Sequence, residues 1–499
     1  MRQTVLALDL GTSQVKGLLL AEDGVTIAKA KRSYPTRLGP QGEAEQDPMD
    51  WVSAVTMCVK DLAISAKKQW PPAICSVTGQ MHGLVLIGKQ GRPLRPAIIC
   101  SDFRAHKELE KILGRIEPER IVGITGNPPL AMFPGPKLLW VKTHEPSIYA
   151  AVNKILPPKD YVGYVMTGEI ATDPSDASGT MLYNVHSGRW DEEMCEASEV
   201  CTDWLPPIRS AKEIRGKVCK QFAEDSGVRE GTPVIVGGGD LPSTVLGCGV
   251  NNSKDVGFSL GTAGIVFRLA KAVSQSTIGQ LFNFVHILPR TLVSMGSCPG
   301  AGFSVKWFET AILGRQGSDS VPHSNINRSV PEGKPTLFFL PFLLGTGSPF
   351  MDYKARGGFI GVAHHHTSTD LRRAILEGVS FSLRQSYDLL KIEQPEVRHV
   401  LVCGGGAYNR VWLEILASVI GSPLSVLQEK DAAVLGAGIL GGVAAEWFST
   451  ADEAIHMCVK TSGIIEPSRE WVDFYSEKYQ RYLQICELIM ALRSKRFWE

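Results

Sequence analysis

Asp9-Leu10-Gly11-Thr12-Ser13 near the start of the chain and Ser259-Leu260-Gly261-Thr262-Ala263 just past its middle are two copies of one phrase, about 250 residues apart. Each copy follows an apolar, strand-like run and leads into another: residues 4–8 and 15–20 flank the first, residues 256–259 and 265–269 the second. Repetition of this kind marks a duplicated domain. A Gly-Thr turn between two strands presents backbone N–H groups and a hydroxyl, a set that suits phosphate oxygens. Two such turns facing each other would grip a polyphosphate from both sides. The leading expectation is therefore a nucleotide-driven enzyme.

The duplication has a second part. Val234-Ile235-Val236-Gly237-Gly238-Gly239-Asp240 parallels Val400-Leu401-Val402-Cys403-Gly404-Gly405-Gly406-Ala407. Each half thus carries strand, Gly-Thr turn and strand early, then a strand followed by three glycines late. The copies differ where chemistry would sit. The first half has Asp9 before its Gly-Thr turn and Asp240 after its glycines; the second has Ser259 and Ala407. Phosphoryl transfer needs charge neutralisation, positioning and an acceptor for the incoming hydroxyl's proton. One carboxylate can take that proton and another can hold the water shell of a magnesium ion. The side-chain-free turn of the second half lets backbone approach a flat ligand. These differences place acceptor and base in the first lobe and the nucleotide base in the second.

Around these turns the pattern predicts lobes at 1–248 and 249–445, with a hinge near 247–252, and a helical tail over 446–499. Asp47-Pro48 reads as a helix N-cap followed by proline at the first helical position. Residues 130–188, rich in Pro, Gly, Asp and Ser, read as irregular excursions. In the tail, Tyr475, Tyr479, Tyr482, Cys486 and Ile489 recur at helical steps, which predicts packing on the body; the other reading is a homodimer interface. With 499 residues there is chain enough for two or three cores. A net charge of +1 gives no basic excess for nucleic acid or anionic lipid. No apolar window is long enough for a bilayer span, and Asp9 interrupts any signal-like run. Eleven scattered cysteines without a Cys-x-x-Cys pair predict buried, reduced thiols and a cytoplasmic protein.

The turns, together with Gly79-Gln80-Met81-His82-Gly83, resemble the FGGY carbohydrate kinases, of the actin/Hsp70/hexokinase superfamily with its duplicated, ribonuclease H-like α/β lobes around a central cleft. Further pieces match in order over about the first 445 residues: Glu45-Gln46-Asp47-Pro48, Ser101-Asp102-Phe103-Arg104, Pro136-Lys137-Leu138-Leu139-Trp140, Pro157-Pro158-Lys159-Asp160-Tyr161 and residues 173–180. The pieces are most similar to the members that phosphorylate D-xylulose to D-xylulose 5-phosphate with ATP and Mg2+. The resemblance implies Asp240 as general base, and Asp9 beside magnesium through water. It implies Gln80, Met81, His82 and Asp102 at the sugar. Gly11, Thr12, Ser13 and Lys16 match first-lobe phosphate contacts, Gly261 and Thr262 their second-lobe counterparts, and Gly405, Gly406 and Asn409 the adenosine site.

Two stretches depart from that pattern. Leu241-Pro242 stands where Asn and a small residue are usual, and Leu344-Gly345-Thr346-Gly347-Ser348-Pro349 replaces a stretch with a charged pair. The acceptor therefore stays open between xylulose and ribulose, a polyol or a sugar derivative, with a non-catalytic actin/Hsp70-like ATPase as the distant alternative. The simpler readings are Asp240 as a helix N-cap, Asp102 and Arg104 as a surface ion pair, and Lys16 as a solvent-facing strand residue. His364-His365-His366 is read as an irregular polar stretch rather than a metal site.

Overall fold

A computed structural model describes residues 2–40, 42–315 and 336–494. The first Gly-Thr phrase is a hairpin tip. Strand β1 (Thr4–Leu10) is buried along its whole length and pairs antiparallel with β2 (Gln14–Ala21), setting Asp9 opposite Lys16 and Leu10 opposite Val15. β2 continues into β3 (Thr26–Ser33). On its other side β1 runs parallel to β4 (Ile74–Gly79), where Asp9 faces Thr78. The seven-stranded sheet is completed by β5 (Ile214–Lys217), β6 (Pro233–Ile235) and the two-residue β7 (Gly238–Gly239), which pairs with β4. The central order is β3-β2-β1-β4-β6.

The second lobe repeats that order. β8 (Asp255–Leu260) forms a hairpin with β9 (Gly264–Ala270), which pairs with β11 (Leu292–Cys298), itself paired with the edge strand β10 (Phe282–Val285). β8 runs parallel to β12 (His399–Cys403), followed by β13 (Leu424–Leu427) and β14 (Thr461–Ile465). The core β11-β9-β8-β12-β13 is the same arrangement of an antiparallel hairpin and parallel strands. One difference sits at the tip: Leu260 pairs with Gly264, so the second turn is one residue shorter than the first.

Helices cover both sheets. α1 (Pro48–Ala66) starts as the sequence predicts, with the Asp47 carboxylate accepting from the Met49 N–H at 2.9 Å. Its apolar face, with Trp51, Val55, Cys58 and Leu62, closes one face of the first sheet. The stretch read as irregular is instead largely helical. α2 (Pro134–His144) and α3 (Pro158–Thr167) lie within it, with shorter helices at Pro146–Ala151 and Pro174–Ser178. Each begins with proline in its first turn, where the missing N–H costs nothing.

Two further helices join the lobes. α4 (Asp240–Gly247) follows the first triple glycine. After α5 (Ser368–Glu393) and α6 (Arg410–Ile420), α7 (Ala432–Ala444) follows β13, yet it packs on β1, β2 and β4 of the first sheet. α4 and α7 cross backbone to backbone. A Cβ at Gly436 would lie 1.9 Å from the Ser243 carbonyl oxygen, and one at Gly247 1.9 Å from that of Ala432. Small residues at the crossing are thus required by contact. The tail α8 (Arg469–Ser494) packs on the body, with Tyr475, Tyr482 and Cys486 buried in the second-lobe core and Tyr475 Oη donating to Glu377 of α5 at 2.9 Å. Residues 495–499 of the predicted tail lie outside the described residues.

Candidate active site

The two hairpin tips, the second glycine turn and the start of α4 surround a cleft of about 610 Å³. Asp9, Gly11, Thr12, Ser13, Lys16, Asp240, Gly261, Thr262, Gly405, Gly406 and Asn409, eleven of the fifteen residues singled out from sequence, line it. Thr12, Ser13 and Thr262 are exposed on its walls. The first turn is closed by the Gly11 N–H donating to Gln14 O at 3.1 Å, the second by the Gly261 N–H donating to Ala263 O at 3.0 Å. Gln46 holds the first turn from below, its Nε2 donating to Thr12 O at 2.6 Å. The second turn rests on residues the sequence reading missed: the Gly302 N–H donates to Gly261 O and the Phe303 N–H to Thr262 O. Gly302, Thr244 and Trp412 also line the cleft. No repeat or phrase marks them, because Gly302 meets the turn only through tertiary packing.

The acids lie on the cleft floor. Asp9 is 5% exposed, and burial raises its carboxyl to about 6 against the pull of Lys16. Asp240 is raised to about 7, first by burial and then by the neighbouring Asp9 charge, while N–H groups of Leu241, Asp240 and Met81 pull it down. Two acids share one low-dielectric floor, so below about 7 the proton they keep sits on Asp240, and above it the Asp240 carboxylate is free to act as a base. Tyr34 closes the floor behind them, its hydroxyl donating to Gly11 O and held protonated by burial and both acids. Asp240 is the first residue of α4, behind Gly239 as N-cap, so it does not cap the helix as the simpler reading expects. A hard carboxylate at this floor suits a hydrated divalent cation. Among the described residues no group of three or more His, Cys, Asp or Glu forms a protein-only cage, so such an ion would be held by Asp9, water and phosphate.

The remaining four residues sit behind the cleft wall. Met81 is buried against Gly239 and gives its N–H to Asp240. His82, at φ 64°, lies between Phe133 and Phe284, with ring centroids 5.1 and 5.3 Å away. Its Nδ1 donates to Gly179 O at 2.8 Å, and burial lowers it to about 4, so the ring is neutral with Nε2 free to accept. Its own carbonyl is held by the fully buried Lys137 Nζ at 2.8 Å, lowered to about 8 by burial. Gln80 is buried, with Nε2 donating to Gln46 Oε1 at 2.9 Å.

Asp102 is not brought to the cleft. It is fully buried, accepting from the Ala44 and Arg104 N–H groups and from the Arg104 guanidinium at 2.7 Å. Arg104 in turn pairs with Glu45 at 2.8 Å and lies over the Trp140 ring. Three of the ordered pieces therefore meet around one ion pair; Asp102 and Arg104 do pair, but in the interior rather than at the surface. Lys16 reaches across the lobes to Asp431 at 2.6 Å. Asn409 caps α6, accepting from the Trp412 N–H at 3.1 Å. His366 Nδ1 accepts from the Ala363 N–H at 2.8 Å.

Duplicated ribonuclease H-like lobes around a cleft floored by two acids and walled by two Gly-Thr turns define a phosphotransferase of the actin/hexokinase type. The sequence profile of the FGGY carbohydrate kinase N-terminal domain matches residues 4–247 and that of the C-terminal domain residues 257–445. The chain belongs to the FGGY family of carbohydrate kinases and is an ATP-dependent sugar kinase. It is 34% identical to the xylulose kinase of Escherichia coli K12 over 443 residues, covering 88% of this chain and 90% of that one. It is 30% identical to the xylulose kinase of Bacillus subtilis 168 over 497 residues, covering 99% of each. The crystal structure of a xyloylose kinase from Brucella ovis superposes with a TM-score of 0.86 at 29% identity, covering 98% of this chain and all of that one.

Proposed function

We propose that the protein transfers the γ-phosphoryl group of ATP to the terminal hydroxyl of a ketopentose, with D-xylulose as acceptor and D-xylulose 5-phosphate as product. The observation that carries this is Asp240 beside Asp9 on the floor between two phosphate-type turns. Near neutral pH the Asp240 carboxylate takes the proton of the attacking hydroxyl, and its raised basicity suits that task. The triphosphate lies between Thr12 and Ser13 on one wall and Gly261 and Thr262 on the other. Adenosine lies against Gly405, Gly406 and Asn409. Lys16 exchanges Asp431 for a phosphate oxygen on binding. Asp9 would hold a hydrated magnesium ion, which would supply charge neutralisation on the phosphates. Gln80, Met81 and His82 orient the acceptor, the neutral imidazole accepting from a sugar hydroxyl. A chain with eleven free thiols that consumes ATP belongs in the reducing cytoplasm.

The names of the relatives favour xylulose. A second reading, a kinase for ribulose, a polyol or a sugar derivative, rests on Leu241. That side chain is buried in an apolar cluster and offers no polar atom where the family resemblance leads to an Asn. Measuring ADP formation from ATP and Mg2+ over a panel of ketoses and polyols decides between them. Xylulose giving the highest kcat/KM supports the first reading, and a tenfold better polyol or ribulose replaces it with the second. A panel without any stimulation overturns both.

A further inference from the structure

Pro157-Pro158-Lys159-Asp160-Tyr161 and residues 173–180 stand outside the cleft, and the proposed mechanism does not use them. In space they form one fully buried cluster behind the base. Lys159 Nζ lies 2.7 Å from Asp160 Oδ1, 3.1 Å from Asp173 Oδ1 and 3.2 Å from Asp176 Oδ2, all with no exposed side-chain surface. Arg215 adds a second cation, pairing with Asp160 and donating to Ala171 O at 3.0 Å. The three carboxylates keep the Lys159 ammonium charged despite burial. Such a network is a poor stability device, since desolvation offsets most of the attraction. What it does is fix a five-residue helix, Pro174–Ser178, that is far too short to form alone. Asp173 completes that fixation, its carboxylate accepting from the Ser175 N–H at 2.8 Å.

That helix delivers one hydroxyl to the base turn. Ser175, fully buried, accepts the Gly239 N–H at 2.9 Å, one peptide before Asp240. The rest of the turn is held from other elements. Thr78 donates to Gly238 O at 2.7 Å, and Gly237 sits at φ 76°, where a Cβ would lie 1.8 Å from Val77 O. The same short helix touches the other lobe, Ser178 Oγ accepting the Val285 N–H of β10 at 3.0 Å. We infer that Ser175 is a positioning residue for Asp240: the buried Lys159 cluster sets the helix, and Ser175 Oγ sets the Gly239 peptide from which the base projects. The inference rests on Asp240 being the base. Because catalytic geometry tolerates little misplacement, loosening that peptide should slow the chemical step more than it weakens either substrate's binding.

The test is steady-state kinetics of Ser175→Ala, Ser175→Thr and Asp240→Asn in the full-length protein, with the acceptor from the panel and ATP. Ser175→Ala is expected to lose about tenfold in kcat with both KM values within about twofold, and Ser175→Thr, which keeps the hydroxyl, to recover most of it. If Ser175→Ala does not fold, Ser175→Cys, nearly isosteric with a weak acceptor, carries the same comparison. A kcat at the wild-type level in the hydroxyl-free variant, or a loss confined to KM, overturns the inference. Asp240→Asn separates the two readings. If it is active, the base assignment fails; if it is dead while Ser175→Ala is normal, only the role of Ser175 fails.

Discussion

At the scale of the residue, the paired acids give the site its pH behaviour. With Asp240 raised to about 7, kcat/KM should fall about tenfold per unit as pH drops below that value and the base is protonated. A pH–rate profile of the wild-type protein checks this; a flat profile down to pH 5 would remove Asp240 from the chemistry. The same shift acts on stability with a definite sign. A carboxyl whose folded value lies above its unfolded 3.8 favours the folded state at low pH, and that contribution is lost as pH rises through about 7. Asp240→Asn should therefore be more stable than wild type at pH 8, on the order of 1 kcal/mol, with the gap closing below pH 4. Thermal unfolding at the two pH values measures it. The acids were legible in the sequence because the second copy of each motif lacks them, Ser259 and Ala407 standing at the matching places. Asp102 was not separable by sequence, since Ser-Asp-Phe-Arg fits a sugar contact and an ion pair equally well, and nothing in it shows that the pair is buried.

At the scale of the element, duplication made the strands readable. Continuous apolar runs and the Gly-Thr phrases locate β1, β2, β8 and β9 to within a residue or two. The helices of residues 134–178 escaped because their Pro-rich starts look like loops, and only the covering core shows the prolines to be first-turn residues. The crossing of α4 and α7 was also hidden: Gly436 reads as a small-residue helix position, but its neighbour Ser243 lies 193 residues away in the chain. That crossing carries a prediction. Gly436→Ala forces the two backbones apart and should cost about 1–3 kcal/mol of stability, together with a loss of kcat because α4 begins with Asp240. Denaturant unfolding beside kinetics tests it, and a variant with unchanged stability would contradict the contact.

At the scale of the molecule, two sheets of like order each lend a helix to the joint between the lobes. Lys16 with Asp431, Lys29 with Glu429, and the stacked rings of Phe103 and Tyr353 tie the lobes across the cleft. If Lys16 leaves Asp431 for the triphosphate, Lys16→Met should raise the KM for ATP about tenfold and leave the acceptor KM alone, while Asp431→Asn should not raise it. Equal effects of the two variants would make the pair a tether instead. The central claim is that the first lobe supplies the base and the second holds the nucleotide. It is tested most directly by acceptor-stimulated ADP formation in Asp240→Asn alongside calorimetric ATP binding. The account predicts turnover reduced by about 10²–10⁴-fold with ATP affinity within about threefold of wild type. Turnover above a tenth of wild type, or loss of ATP binding in step with activity, would contradict it.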